Sequence, residues 1–150
     1  MRLPMLAELE NDLITHIKAS ALGAKLRDVA GLPDLSGESL IERFAADAPA
    51  VYVAPGAFQI ESRSAKVHYG IACVARNSRG ITAARAGEAI GPVGLYEMLE
   101  AIAALFNEAQ INKSIWKVTA IDFMNDELLY KAGLTAGVAQ VETRVKQFTL

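Results

Sequence analysis

The strongest constraint on the fold is an alternation of apolar residues in the middle of the chain, over 65–76. Successive side chains of a β-strand point to opposite faces, so this spacing predicts a strand with one buried face. The residues predicted to share that face are Val67, Tyr69, Ile71, Cys73 and Ala75. A single strand is not stable in water, so other segments must pair with it and cover its apolar side.

Four more segments are typical of strands. The continuous apolar run 50–54 predicts a strand buried on both faces, and 25–30 predicts a short, weaker one. The segment 138–148 alternates apolar with polar residues, which indicates an antiparallel strand with one solvated or partner-facing side. In 116–124, strict alternation predicts a strand with one set of side chains on each face. One face would hold Lys117, Thr119, Ile121 and Phe123, and the other Trp116, Val118, Ala120 and Asp122.

Two segments have the three- and four-residue spacing of amphipathic helices, 5–22 and 93–109, and a shorter helix is predicted over 38–46. We expect connections over 77–92 and 125–137, and a loop or extended arm over 59–64. The chain therefore predicts one α+β domain over residues 1–150. Its mainly antiparallel or mixed sheet would have four to five strands, with two main helices packed on it.

Composition excludes several classes of protein. The 150 residues carry a formal net charge of −2 and are 52% apolar, which is ordinary for a globular domain and not for a disordered chain. The near-neutral charge gives no broad attraction to nucleic acid or to an anionic membrane. No apolar run approaches the roughly 20 residues of a membrane span. The single cysteine, Cys73, cannot form an intramolecular disulfide, which favours a reducing cytoplasm.

The residues that carry chemistry are few, and we predict no catalytic, cofactor-binding or metal-binding set. His16 lies on a helix flank, and nothing in the sequence gives His68 a partner. Cys73 lies within an apolar strand, where a free cysteine is ordinarily a small buried residue. One Cys and two His do not make a zinc cluster. The glycine-rich stretch 87–94 lacks the Gly-Lys-Ser/Thr ending of a phosphate loop, and Pro92 removes an N–H donor.

The most uneven local charge is a cluster of three arginines, Arg76, Arg79 and Arg85. A lone run of charges is usually a solvated loop face. Arginine is nevertheless the cation best suited to interfaces, and long glycine-bearing connections are often functional. The cluster therefore indicates contact with an acidic partner surface, with a neighbouring subunit or with DNA phosphate.

Four short motifs follow one another along the chain: the helix opening 5–14, the strand 49–53, the segment 74–80 with 85–87 after it, and the start of the second helix over 94–100. Together they resemble the tail-terminator family of Mu-like contractile phages and prophages. The resemblance covers 5–144, although 23–37 cannot be aligned with it. The residues that match the family pattern are Arg76, Asn77, Arg79, Arg85, Gly87, Gly94 and Tyr96.

The resemblance implies a structural role and no enzyme activity. Tail terminators are small α+β domains that form a ring, usually of six copies, on the head-proximal end of the phage tail. The ring stops polymerisation of tube and sheath proteins and joins the tail to the neck or connector protein, and DNA passes through its lumen. The protein would then be found in the virion tail, and in the host cytoplasm during assembly.

The resemblance also implies roles for particular residues. Arg76, Asn77, Arg79 and Arg85 would form a subunit or tail-tube interface, and Gly94 would allow a close backbone approach. Tyr96 and Leu99 are expected to pack in the core. The alternatives are another head–tail connector or tail-completion protein, a binding module or, in a different class, a small cytoplasmic enzyme that uses His68 or Cys73.

Overall fold

The computed structural model describes residues 5–87 and 91–146. This part of the chain contains five α-helices, one 3₁₀ turn and six strands. In chain order these are α1 (Met5–Ala19), the 3₁₀ turn (Gly23–Lys25), β1 (Asp28–Gly31), α2 (Gly37–Asp47), β2 (Ala50–Glu61), β3 (Ser64–Arg76), α3 (Ile81–Ala86), α4 (Leu95–Phe106), β4 (Ala109–Ile111), β5 (Ser114–Met124), α5 (Glu127–Lys131) and β6 (Leu134–Lys146).

The strands form one mixed sheet in the order β1-β2-β3-β6-β5-β4. β1 runs parallel to β2, and every other neighbouring pair is antiparallel. The prediction of a single α+β domain is confirmed, but the predicted counts of four to five strands and two main helices are too low. The additional elements β4, α3 and α5 contain only three to six residues, which is too short for a periodic pattern to reveal them.

Two apolar cores lie on opposite faces of the sheet. On the first face, α1 and α4 cover the odd-numbered residues of β3, as the alternation over 65–76 predicted. On the second face, a smaller core forms where Phe44 of α2 and Leu129 of α5 pack against Tyr52, Val74 and Leu134. The second face also carries polar side chains, among them His68 and Glu142.

The predicted loops contain more regular structure than expected. The arm over 59–64 belongs to a hairpin in which β2 and β3 pair out to Glu61 and Ser64. The predicted connection over 77–92 contains α3, and the predicted loop over 125–137 contains α5 and the start of β6. Parts of two predicted segments, Glu88–Ile90 and Gln147–Phe148, lie outside the described residues.

The predicted faces of β5 are wrong beyond Val118 because the strand contains a bulge. The register with β6 shifts between Val118 and Ala120. One extra residue in a strand moves every later side chain to the opposite face. Ile121 and Phe123 therefore share the face of Trp116 and Val118, while Ala120 and Asp122 join Lys117 on the other face.

Candidate interaction surfaces

The four predicted interface residues lie from the last residue of β3 to the last turn of α3, ahead of α4. Arg76 ends β3 and is exposed, and its Nη1 donates a hydrogen bond to the Ala45 carbonyl of α2 at 2.9 Å. This bond ties α2 to the end of the sheet. Arg76 therefore has a role within its own chain and still presents charge to solvent.

Asn77 and Arg79 form the turn that follows. Asn77 is 8% exposed, and its Oδ1 accepts a hydrogen bond from the Arg79 backbone N–H at 2.9 Å. Its carbonyl accepts from the Gly80 N–H at 3.0 Å, which closes the turn. The Asn77 side chain thus shapes the loop, and the exposed Arg79 lies at its surface.

Arg85 lies in the last turn of α3 and is half-buried. α3 packs against α4, β3 and β6 through the buried Ala84. After α3 the backbone approaches the start of α4 very closely. A Cβ added to Gly94 would lie 2.6 Å from the Cα of Gly87. The expected close approach at Gly94 is confirmed, and it brings the end of residues 76–87, called here the arginine segment, against the start of α4.

Cys73 and His68 lie on opposite faces of β3 and cannot act as a pair. Cys73 is fully buried, and burial raises the pKa of its thiol to about 12, so near neutral pH it is protonated and shielded from solvent. The Nδ1 of His68 lies 3.5 Å from a carboxylate oxygen of Glu142 on the polar face. Glu142 is also bound by the Lys117 ammonium at 2.9 Å, which lowers the pKa of this carboxyl.

The described residues contain no group of three or more His, Cys, Asp or Glu side chains placed to hold a metal ion. Asp126, which is close in sequence to Asp122 and Glu127, caps α5 by accepting a hydrogen bond from the Leu128 N–H at 2.8 Å. A shallow pocket at the start of α4 is lined by Gly87, Gly94, Lys25 and Glu97. The Lys25 ammonium and the Glu97 carboxylate lie 3.5 Å apart.

An exposed apolar surface at the end of β5 was missed by sequence reasoning. Ile121, Phe123 and Met124 are 39%, 51% and 38% exposed, and Leu128 of α5 is also exposed. Tyr96 packs edge-on against Phe123, with 5.9 Å between ring centroids. Tyr96 was expected in the core but is 42% exposed, whereas Leu99 is buried as predicted.

Tyr96 and Phe123 remain exposed because α4 meets the end of β5 through the edge of the Tyr96 ring, which leaves both rings partly open to solvent. The sequence does contain a sign of this surface. The strand has apolar residues at both odd and even positions, Ile121, Phe123 and Met124, although it also carries Lys117 and Asp122. A strand with apolar side chains on both faces is either central and covered or is an edge with a partner. In the described parts of the chain, no helix is long and apolar enough to cross a membrane.

Comparison with known proteins identifies the family. The family model described as Bacteriophage Mu, Gp37 matches residues 5–133, which include both long helices and the whole arginine segment. No curated protein gives a significant match to the chain. The matched region covers most of the 150 residues, and the chain belongs to the bacteriophage Mu Gp37 family of Mu-like phage proteins.

Proposed function

We propose that this protein is a structural component of a phage or prophage virion and acts as the tail terminator. In that role it forms a ring on the head-proximal end of the tail, stops polymerisation of the tube and sheath, and provides the surface that the neck protein binds. The observation that carries the proposal is the family match over 5–133, combined with the motifs at 74–80, 85–87 and 94–100 that resemble those of tail terminators.

The geometry supports an assembly role over a catalytic one. Cys73 is buried with a raised pKa, and the nearest carboxylate to His68 is already bound by Lys117. In contrast, Arg76 and Arg79 are exposed at one end of the sheet, and exposed apolar side chains surround Phe123 near the same end. Exposed apolar patches and arginines are both characteristic of protein–protein interfaces.

A ring requires contacts in which one surface of a subunit meets a different surface of the next. Six copies is the number that the family resemblance implies. A ring would also give the passing DNA a lumen, where non-specific contacts with phosphate need only modest positive charge.

Tail length in a deletion strain tests the proposal. Removing the gene from its phage or prophage is expected to give abnormally long, headless tails in negative-stain electron micrographs, and the protein supplied in trans should restore normal length. Normal-length tails that fail to join heads would instead identify a connector that acts after termination. Intact infectious particles would reject an assembly role.

Complementation with two variants separates this role from an enzyme. His68→Ala and Cys73→Ala remove the two side chains that the enzyme alternative would use. A tail terminator is expected to restore tail length with either variant, provided that circular dichroism shows a folded protein. Failure of folded His68→Ala to complement would favour the enzyme alternative.

A further inference from the structure

The outer edge of β5 is open over most of its length. β4 pairs with β5 only where Ala109–Ile111 lies opposite Ser114–Trp116, and no other strand in the described residues lies along 117–124. Beyond the bulge, Ile121 and Phe123 are exposed on the helix-covered face and Met124 on the other. A long, unpaired edge with apolar side chains is a template for the addition of another strand.

The opposite side of the sheet carries a second open edge. β1 pairs with β2 only over Ala50–Val53, and in the described residues no strand lies along the outer side of 54–61. Ile60 on this edge is 55% exposed. Because β1 covers the first part of β2 and β4 covers the first part of β5, the two open halves lie on opposite sides of the sheet and at opposite ends of it.

The two edges match in direction. β5 runs antiparallel to β2 across the sheet, because three successive antiparallel pairings separate them. If a second molecule is placed beside β5 in the same orientation, its β2 forms an antiparallel ladder with β5. Antiparallel ladders need no crossover connection and are slightly more stable per residue than parallel ones.

The two edges also match in side-chain chemistry. Lys117 and Glu61 are on the same, polar face, since their positions are level with His68 and Ser64 of β3. Val118 and Ile60 are both on the helix-covered face. An antiparallel register that places Lys117 opposite Glu61 therefore places Val118 opposite Ile60. Opposite charges and apolar pairs directly across a ladder are each stabilising.

The charged pair would extend contacts that already exist in each molecule. Lys117 binds Glu142, and Glu61 binds Arg144. Docking would join these pairs into one cluster of alternating charge across the boundary. The charge complementarity argues for a second copy of this chain as the occupant of the β5 edge.

The same register is compatible with a closed ring. Lys117 is level with His68 and Glu61 with Ser64, so each neighbour is shifted by four residues along the strands, roughly 13 Å at ~3.3 Å per residue. Each copy adds four strands to the ring, β2, β3, β6 and β5, so the repeat across the strands is about 19 Å at ~4.8 Å per strand. The strands would then tilt by about 35° from the ring axis, close to the tilt of strands in closed barrels.

We infer that Lys117–Ile121 of one molecule pairs with Phe58–Glu61 of a second copy, and that repetition of this contact builds the assembly. The closing of the contact into a ring rests on the proposed function. The strand pairing itself does not, and it can be tested on the purified protein.

Cysteine cross-linking tests the pairing. Glu61→Cys and Lys117→Cys replace two exposed side chains, and the native Cys73 is buried and out of reach of a cross-linker. With a short thiol-specific cross-linker, the protein carrying both substitutions is expected to form a ladder of multimers. An equimolar mixture of the two single variants should stop at dimers, because each molecule then has one reactive edge.

The controls distinguish the alternatives. A protein with Glu38→Cys and Lys113→Cys, two exposed positions away from the open edges, should give no ladder. Dimers from Lys117→Cys alone would show β5 pairing with β5 and would overturn the inference. The same reaction is run on tails from a deletion strain complemented with the double variant. The absence of specific cross-links both in solution and on tails would also overturn it.

A second measurement does not depend on cysteines. Ile60→Asp is expected to weaken self-association by about tenfold or more, because it places a charge in an apolar cross-strand pair. Ile115→Asp is the matched control, since Ile115 is also exposed but lies where β4 already pairs with β5. Equal effects of the two variants would contradict the assigned register.

The outcomes separate the pairing from the proposed function. Cross-linking in the predicted pattern together with normal tails in the deletion strain would keep the strand pairing and reject the tail terminator. Long tails in the deletion strain together with rings that lack these cross-links would keep the tail terminator and reject the pairing.

Discussion

At Gly94 an added side chain would collide with the backbone that follows α3. A Cβ there would lie 2.6 Å from the Cα of Gly87 and 2.8 Å from the carbonyl carbon of Ala86. Backbone atoms cannot rotate away, so Gly94→Ala should push α3 and α4 apart. We expect a loss of about 1–3 kcal/mol in the free energy of unfolding, measured by urea denaturation.

Gly37→Asn is the control for Gly94→Ala. Gly37 needs an unusual backbone conformation, with φ of +56°, which Gly94 does not, and its added Cβ would meet nothing within 4 Å. Asn tolerates the left-handed region better than most residues. If Gly94→Ala lowers the free energy of unfolding no more than Gly37→Asn does, the backbone at Gly87 can move away from the added methyl group with little loss of stability.

Glu142 gives stability a defined dependence on pH. It is 7% exposed, and the hydrogen bond from Lys117 lowers the pKa of its carboxyl in the folded state. A group whose pKa is lower in the folded than in the unfolded state adds stability above its unfolded pKa. That contribution is lost as the pH falls through the folded pKa.

Glu142→Gln should therefore unfold at lower urea concentration than the wild type at pH 7. The difference between the two proteins should shrink as the pH is lowered through the range in which carboxylates titrate. Glu42→Gln, at an exposed position of α2, should show neither effect. A difference for Glu142→Gln that persists unchanged at acid pH would mean that the ionised carboxylate is not what stabilises the fold.

At the scale of elements, α1 is held to the sheet by one buried stripe. Leu9, Leu13 and Ile17 are buried, whereas Leu6 is exposed. Leu13→Ala should cost about 2–5 kcal/mol through lost burial and a cavity, and Leu6→Ala should cost well under half as much. The fluorescence of Trp116, the single and fully buried tryptophan, reports unfolding directly.

The elements that sequence predicted well are those with a long repeating pattern. α1, α4, β3 and β6 each contain 12 or more residues. A bulge adds one residue without changing composition, so the alternation in β5 gave no warning that Ile121 and Phe123 change faces. The hairpin at 59–64 was missed because its strands project beyond the core and carry few buried residues.

For the predicted interface residues, the sequence indicated the position of the charges but not the contacts that these residues make within the chain. Charge spacing located the arginine segment, but it could not show that Arg76 binds the Ala45 carbonyl or that Asn77 closes a turn. The first contact joins segments that are distant in sequence and that the fold brings together. The second is a local turn, which charge spacing does not report. The open edges of β2 and β5 follow from strand order, which alternation within single strands does not contain.

At the scale of the whole molecule, the arginine segment and the open strand edges are separate surfaces. The arginines lie at the end of the sheet where β3 finishes and β6 begins, since Arg76 is paired with Leu134. The open edges run along the two sides of the sheet. A subunit of a ring could therefore use its sides to contact its neighbours and this end to contact the tail tube.

Arg85→Glu tests the arginine segment as an assembly surface. Arg85 is the cleaner target than Arg76, because Arg76 also ties α2 to the sheet within its own chain. Reversing a charge at an interface with an acidic surface places like charges together, so we expect about tenfold or more weaker assembly. Two measurements report the effect. They are the tail length in the complemented deletion strain and the molar mass of the assembly that the purified protein forms in solution.

The pattern of loss shows which contact Arg85 serves. Monomers in solution together with long tails would place Arg85 between subunits, whereas unchanged mass together with long tails would place it against the tail tube. Arg27→Glu, an exposed arginine near the start of β1, makes the same change of charge elsewhere and should leave both measurements unaltered. Unchanged mass and unchanged tail capping in Arg85→Glu would reject an interface role for this residue, because a charge reversal within a required contact cannot be silent.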